Sequence, residues 1–189
     1  IFDAQQASAD QNIVVVAGGT ITVSELTVAA VTVISTLGTG TILLDANGEA
    51  SDIVLNDAIS SVNGSISLTA DNDITTNLDG DITSTSGTLT VTADVSSGSV
   101  SVITMADGAL WNAGSGVIDL DTDGNITLGG LQTSTEVQVT TTAGAILDAG
   151  DAHPDITANS AALRAESGIG DAGGANGGLE TVTSGAALT

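Results

Sequence analysis

Three aspartates occupy the same place in a recurring phrase, directly after a small residue that ends an alternating apolar and polar run. They are Asp71, Asp94 and Asp123. If the phrases stack, these carboxylates form a column, and like charges at such a spacing repel unless a cation bridges them or solvent screens them. Carboxylate oxygens are ligands that Ca²⁺ prefers. Together with Asp121, the column suggests a surface calcium site, and the simpler interpretation is that these are solvated acids of turns.

The stretch DLDTDG, which runs from Asp119 to Gly124, resembles the first half of an EF-hand calcium loop. That loop ends on a bidentate glutamate at its twelfth position. This chain has Gly130 there, and no flanking helices are plausible. The sequence therefore does not predict an EF-hand, and calcium is a hypothesis for the aspartate column alone. No other cofactor is expected.

Paired carboxylates are also the catalytic groups of glycoside hydrolases. Sugar sites usually add aromatic side chains and a basic group, whereas this chain has one Trp, one His and one Lys or Arg residue in total. We therefore expect no enzymatic activity, and a carbohydrate-binding or polysaccharide-degrading β-helix ranks last among the interpretations. Trp111 either fills the core or is an exposed contact residue for a ligand.

The charge balance excludes two large classes of partner. The chain has 23 Asp and Glu residues and a formal net charge of -22 at pH 7. Nucleic acids and anionic membranes attract proteins through Lys and Arg, so neither is an expected partner. The longest apolar run, from Ile13 to Ala17, is far too short to cross a bilayer. The absence of Cys excludes disulfides and thiolate metal sites.

A phrase of the form Gly-x-apolar-x-apolar-x-small recurs along most of the chain, about every 23 residues. Side chains of a strand alternate between two faces, so each copy predicts one half-buried strand. Stacking of the copies then predicts two columns of core residues. The first column is Ile21, Ile42, Ile66, Leu89, Ile118 and Val137, and the second is Val23, Leu44, Leu68, Val91, Leu120, Val139 and Leu163.

The repeat length decides between two β architectures. Hairpin-linked strands of a sandwich would follow one another more closely, whereas this period suits one full coil of a parallel β-helix. We therefore predict an all-β solenoid of about seven to eight coils. A second strand of each coil is predicted in the runs DIVL, DIT, SVSVI, GNITL, GAIL and GIG. Glu25 does not fit its inward position, so we expect the first coil to be irregular there.

The C-terminal part of the chain carries the most distinctive phrases. DGNITLGGLQTSTEVQVTTTAGAILDAG, followed by DITANSAALRAESGIGDAGGANGGLETVTSGAAL, resembles the strand-repeat passengers of very large bacterial surface proteins related to filamentous haemagglutinin. The resemblance extends roughly from Gly40 to the C-terminus. It implies a right-handed single-stranded parallel β-helix, export to the cell exterior and a structural or adhesive role. The chain would then be a rigid spacer of an adhesin, whose host, cell-surface or glycan receptor is not identified.

The ends of the pattern define the expected organisation. Residues 1–12 do not follow the repeat and are predicted to be a leader, either a docking arm or disordered, while residues 13–189 form the β-helix. The pattern begins again at Ala186 and Leu188, which predicts a solenoid cut off within a coil. An open coil end exposes unpaired backbone groups and apolar core. The alternative function is therefore a filament subunit that polymerises head-to-tail, beside a piece of a longer array.

Overall fold

The chain forms a parallel β-solenoid in the computed structural model, which describes residues 5–7, 10–24, 34–93, 100–150, 152–170 and 178–184. These described residues contain 22 β-strands and no helix. The strands form three sheets of eight, seven and seven strands. The prediction of an all-β solenoid with seven to eight coils is confirmed.

Each sheet contributes one strand to a coil. Sheet I contains β1 (Gln5–Ala7), β4 (Ile34–Thr36), β7 (Ile59–Ser61), β10 (Ile82–Ser84), β13 (Trp111–Gly114), β16 (Leu131–Thr133), β19 (Ile156–Ala158) and β22 (Thr181–Thr183). Sheet II contains β2 (Ile13–Ala17), β5 (Ile42–Ala46), β8 (Ile66–Ala70), β11 (Leu89–Ala93), β14 (Ile118–Thr122), β17 (Glu136–Thr141) and β20 (Ser160–Ala165). Sheet III contains β3 (Ile21–Val23), β6 (Ile53–Leu55), β9 (Ile74–Thr76), β12 (Ile103–Met105), β15 (Ile126–Leu128), β18 (Ala145–Asp148) and β21 (Gly168–Ile169).

Equivalent residues of successive coils are paired in parallel and in register. In sheet II, Ile42 pairs with Ile66, and Ile66 pairs with Leu89. The column continues from Leu89 to Ile118 and then to Val137. A parallel neighbour is reached only after the chain has crossed the other two sheets, because parallel strands cannot be joined by a tight turn. The predicted stacking of aliphatic residues in sheet II is therefore confirmed.

Burial follows the alternation of side chains. Along β5, β8 and β11, buried residues alternate with half-buried ones, so one face of the sheet lines the interior. Both predicted columns are buried in sheet II, the first at Ile42, Ile66, Leu89, Ile118 and Val137 and the second at Leu44, Leu68, Val91, Leu120 and Val139. Leu163 on β20 is only partly buried and packs against this core. Each full burial of such a side chain stabilises the fold by about 1.5–3 kcal/mol.

Ile21 and Val23 do not lie in the sheet II columns, which corrects the assignment made from the sequence. Both are buried, but they belong to β3 of sheet III, where Ile21 pairs with Ile53. The sheet II strand of the first coil is β2, whose Ile13 pairs with Ile42. The phrase IVVVA of β2 is not preceded by glycine. A pattern that begins with glycine therefore passes over it and selects the next alternating run.

Three further expectations concern the first and last coils. Gln5–Ala7, which fall within the predicted leader, form β1 and pair in parallel with β4. The first coil therefore begins before Ile13, and this corrects the leader boundary. Glu25, Ala186 and Leu188 lie outside the described residues. The irregularity at Glu25 and the further copy of the phrase stay predictions.

Glycine is required where the chain turns from sheet I into sheet II. This corner holds Gly40, Gly64, Gly87 and Gly116 in four successive coils. A Cβ atom at Gly64 would lie 1.8 Å from the carbonyl oxygen of Gly40, and one at Gly87 would lie 2.0 Å from that of Gly64. No side chain fits at such distances, so the coils pack backbone against backbone. This contact explains why the repeated phrase begins with glycine.

Hydroxyl groups complete the same corner. The Ser61 hydroxyl accepts a hydrogen bond of 2.8 Å from the Gly64 amide and donates one of 3.0 Å to the Gly40 carbonyl of the preceding coil. Ser84 repeats this one coil later, with the Gly87 amide at 2.8 Å and the Gly64 carbonyl at 3.1 Å. Backbone groups that leave the ladders at a corner need such partners. Both serines therefore join their coil to the one before it.

Replacing Gly64 by Ala is expected to lower the free energy of unfolding by about 1–3 kcal/mol, the usual cost of overpacking. The reason is that the Gly40 carbonyl must move away from the new methyl group. Gly18→Ala is the matched control, because a Cβ at Gly18 meets no atom within 4 Å, and its effect is expected to stay within about 0.5 kcal/mol. Urea unfolding measures both variants. Equal losses in the two would contradict the proposed corner contact.

Candidate functional site

The structure places Asp71 in the corner between sheets II and III. Asp71 follows β8 directly, and it is only 1% exposed. Its Oδ2 accepts a hydrogen bond of 2.9 Å from the backbone amide of Ala50 in the preceding coil. Ala50 has a φ of 56°, in the left-handed region, and the Ser51 amide donates to the Gly48 carbonyl across the same turn at 3.0 Å. The Asp71 carboxylate thus holds a strained turn of the neighbouring coil.

The other residues of the calcium hypothesis are not gathered around Asp71. Oδ1 of Asp123, which follows β14, accepts a hydrogen bond of 2.7 Å from the Ser101 amide in the preceding coil. Asp121 is exposed on β14, and Asp94 lies outside the described residues. Within the described ranges, no group of three potential metal ligands includes Asp71, Asp121 or Asp123. Asp71 and Asp123 have a structural role at corners, and calcium binding by the column stays a prediction.

Aspartates serve the same purpose at other corners. Oδ1 of Asp81, which lies just before β10, accepts a hydrogen bond of 2.8 Å from the Leu110 amide of the following coil. Oδ1 of Asp10 accepts bonds from the Thr39 amide at 2.9 Å and the Thr39 hydroxyl at 2.8 Å. These two bonds hold the pKa of Asp10 below its usual value, the amide having the larger effect. Part of the acidity of the chain is therefore used to satisfy amides where the chain turns.

A separate acidic cluster lies on the outer face of sheet II. Asp119 and Asp121 are on β14, and Glu136 begins β17, the neighbouring strand. Partial burial, and then the charges of Asp121 and Glu136, raise the pKa of Asp119 above its usual value. Arg164, the one Lys or Arg residue of the chain, pairs across the ladder with Thr140 of β17. The folded state therefore disfavours the ionised form of Asp119.

Among the described residues, one group of three close carboxylates was not predicted from the sequence. Single carboxylate oxygens of Asp148, Asp155 and Glu180 lie within 4.8 Å of one another. Asp155 is fully buried, and its Oδ2 accepts a hydrogen bond of 2.8 Å from the Glu180 amide. Oδ1 of Asp148 accepts one of 2.6 Å from the Gly150 amide. A usable signal does exist, because Asp155 and Glu180 directly precede β19 and β22 and so occupy equivalent positions of successive coils.

This group meets only part of what a metal site requires. Three carboxylates can supply oxygen ligands to a hard cation, but Ca²⁺ takes six to eight oxygens. Asp148 and Asp155 each already accept a backbone hydrogen bond. Acidic side chains close together do not by themselves establish a metal site, so no metal is assigned to this group.

Trp111 is fully buried, which contradicts one of its two interpretations, that of an exposed contact residue. It begins β13, and its partners across sheet I are Ile82 and Leu131. Its exposed fraction is 0%, as are those of Ala109 and Ala113 on either side of it. The alternative, that Trp111 fills the core, is confirmed. Trp111 therefore provides no surface on which a sugar ring could stack.

An apolar cavity of about 760 Å³ lies near the last described coils. Its lining includes Leu147, Leu163, Ile169 and Leu179. Residues 171–177, which connect two of its lining segments, are outside the described part of the chain. The cavity therefore supports no assignment of a ligand site.

The chain was compared with protein-family models, curated proteins and solved structures, and none of these comparisons found a match. In the part of the chain that the structure describes, no helix is long and apolar enough to cross a membrane. The resemblance to passengers of the filamentous haemagglutinin type stays a prediction.

Replacing Asp71 by Ala is expected to lower the free energy of unfolding by about 1–3 kcal/mol, because the Ala50 amide loses its acceptor. Asp121→Ala removes the same charge from an exposed position and is expected to change stability by no more than about 0.5 kcal/mol. Urea unfolding, repeated with and without a chelator, measures both. Similar losses in the two variants would contradict the role of Asp71 at the corner. A loss of stability on adding the chelator would support the calcium hypothesis instead.

Asp119→Asn is expected to stabilise the protein at neutral pH. The pKa of Asp119 is raised in the folded state, so its charged form is disfavoured by folding. The advantage of the variant is expected to shrink as the pH falls through the folded pKa and to vanish below the unfolded value of 3.8. Thermal melts between neutral and acidic pH measure the difference. Glu49→Gln, at an exposed position, is the control, and an equal gain there would mean that net charge alone is responsible.

Proposed function

We propose that the chain is a structural, non-catalytic spacer, a rigid acidic rod segment within an exported bacterial surface protein. The observation that carries this proposal is the continuous stacking of coils in all three sheets. Sheet I runs from β1 to β22, sheet II from β2 to β20 and sheet III from β3 to β21 without a missing neighbour. Each coil adds about 4.8 Å of length, so the length of the rod increases in proportion to the number of sequence repeats.

Stiffness comes from coil-to-coil bonds in the strands and, in the described coils, at all three types of corner. Between sheets I and II, Ser61 bonds to the preceding coil through its hydroxyl. Between sheets II and III, Asp71 does so through its carboxylate, and between sheets III and I, Asp81 bonds to the following coil. A bend at any coil junction would have to break strand and corner bonds together. Such a stiff junction suits a spacer, which has to hold its two ends at a fixed distance from each other.

The acidic surface supports the same function. A formal charge of -22 on 189 residues makes the rods repel one another at neutral pH. The Asp119 and Asp121 side chains bring this charge onto the outer face of sheet II. Flat sheet faces of neighbouring rods are thereby discouraged from associating side by side. Export and the bacterial surface come from the sequence resemblance, and the architecture is compatible with them.

One observation favours the alternative of a filament subunit. β2, the first strand of sheet II, is apolar on both faces. Val14 and Val16 on its outer face are 60% and 57% exposed, while Ile13 and Val15 are only partly buried. An apolar strand at the edge of a sheet is a template for pairing with another chain. Head-to-tail association through such an edge is therefore the second candidate function. With Trp111 buried, the described residues offer no aromatic platform to the carbohydrate-directed candidate.

Deleting residues 66–88 removes one complete coil, because Ile66 and Leu89 pair directly in sheet II. The shortened chain is expected to fold, and the rod is expected to be shorter by about 4.8 Å. Deleting residues 66–77 removes only part of a coil, destroys the register and is expected to prevent folding. Circular dichroism and small-angle X-ray scattering measure fold and length.

An unfolded one-coil deletion, or an unchanged length, would contradict the spacer proposal. The scattering of the parent chain at increasing concentration also separates the two candidates. A constant length supports the spacer, whereas lengths that grow in multiples of the rod support the filament.

A further inference from the structure

The described part of the chain contains two Asn-Gly dipeptides, and both lie in corners directly outside strands. Asn47 and Gly48 follow β5, and Asn63 and Gly64 lie between β7 and β8. In this dipeptide the backbone nitrogen of glycine can attack the side-chain carbonyl carbon of asparagine, because glycine has no side chain to hinder the approach. The two dipeptides have the same sequence, and they differ in the contacts that they make in the folded chain.

At Asn63 both reacting groups are held. The Gly64 amide, which would be the nucleophile, donates a hydrogen bond of 2.8 Å to the Ser61 hydroxyl. The side-chain oxygen of Asn63 accepts one of 3.2 Å from the Ser86 hydroxyl. Gly64 itself is buried against the Gly40 carbonyl. Attack would require several of these contacts to break together.

At Asn47 neither reacting group makes a hydrogen bond, although Gly48, like Gly64, packs against a backbone carbonyl of the preceding coil, that of Gly18. Asn47 is exposed, and its own backbone amide donates to the Ala17 carbonyl at 2.9 Å, which anchors the backbone but not the side chain. Gly48 uses its carbonyl to accept from the Ser51 amide. Among the described residues, the Asn47 side chain and the Gly48 amide have no hydrogen-bond partner. The nucleophile and the side chain that it attacks are therefore not restrained by hydrogen bonds, in contrast to the pair at Asn63.

We propose that Asn47 is a site of spontaneous deamidation in the folded protein, with water as the only co-reactant. The Gly48 nitrogen bonds to Cγ of Asn47 and loses its proton, while the Cγ–Nδ2 bond breaks and Nδ2, having gained a proton through water, leaves as ammonia. The product is a succinimide ring. Water then opens the ring at Cγ to give aspartate, or at the main-chain carbonyl carbon to give isoaspartate, whose backbone is one methylene longer. No oxidant, enzyme or metal takes part.

The modification changes a corner that the neighbouring coil depends on. Asn47 follows β5 as Asp71 follows β8, so the new carboxylate would occupy the position equivalent to Asp71 in the preceding coil. In the isoaspartate form, the added backbone atom lies between β5 and the turn at Ala50. That turn is the one that the Asp71 carboxylate holds. The aged protein is therefore expected to melt at a lower temperature than the fresh protein.

The test is incubation of the folded chain at mildly alkaline pH, followed by peptide mapping with mass spectrometry. Asn47 is expected to convert at least about tenfold faster than Asn63, because two hydrogen bonds restrain the Asn63 pair. In urea the two sites are expected to convert at similar rates, since the fold no longer distinguishes them. Asn176 and Gly177 form a third Asn-Gly pair, which lies outside the described residues, and mapping separates its peptide from the other two.

Two variants sharpen the comparison. Asn47→Gln is expected to abolish conversion at this corner and the accompanying decrease in melting temperature. Ser61→Ala, once circular dichroism shows that it is folded, is expected to accelerate conversion of Asn63 because the Gly64 amide is released. Equal rates at Asn47 and Asn63 in the folded parent chain, or conversion of Asn63 first, would overturn the proposal. If Ser61→Ala does not fold, the comparison with urea decides the question.

Discussion

The fold depends on one constraint, which is that every coil must satisfy the backbone groups of its neighbours where the chain turns. Within strands, the parallel ladders do this. At the corners, the ladders end, and short polar side chains take over: Ser61 and Ser84 between sheets I and II, and Asp71 and Asp123 between sheets II and III. Glycine at the first of these corners allows the closest backbone contact. Part of the acidic and hydroxyl-rich composition is therefore a consequence of how a solenoid closes its turns.

The sequence predicts sheet II best because its strands are long enough to show alternation. Five residues such as ISLTA of β8 display two aliphatic positions and one small position on a single face. The strands of sheet I have three or four residues, often one aliphatic residue followed by Ser or Thr, and β7 reads ISS. That pattern is indistinguishable from a turn, so sheet I was not predicted. The β2 strand was missed because its first coil lacks the glycine that other copies require.

The candidate sites were harder to predict than the fold, because they depend on contacts between coils. Alignment of the repeated phrases correctly places Asp71 and Asp123 at equivalent positions of their coils. It cannot show that their carboxylate oxygens accept hydrogen bonds from backbone amides. Asp148, Asp155 and Glu180 come together from two coil positions that no phrase links. Trp111 illustrates the same difficulty, since its burial follows from a place on β13 opposite Ile82, which only the sheet I register reveals. The residue types suggest what chemistry is possible, but the register of the strands decides which side chains lie close together.

The most direct test of the stacked coils is disulfide formation between engineered cysteines, since the natural chain has none. Ser67 and Thr90 are directly paired on the outer face of sheet II, and Thr90 is paired with Asp119. Neighbouring parallel strands are about 4.8 Å apart, within the range that a disulfide spans, whereas strands two coils apart are about twice as far. The stacked register predicts that the double variant Ser67→Cys, Thr90→Cys oxidises readily and that Ser67→Cys, Asp119→Cys does not. Failure of the first pair to form a bond, or equal oxidation of both, would contradict the solenoid.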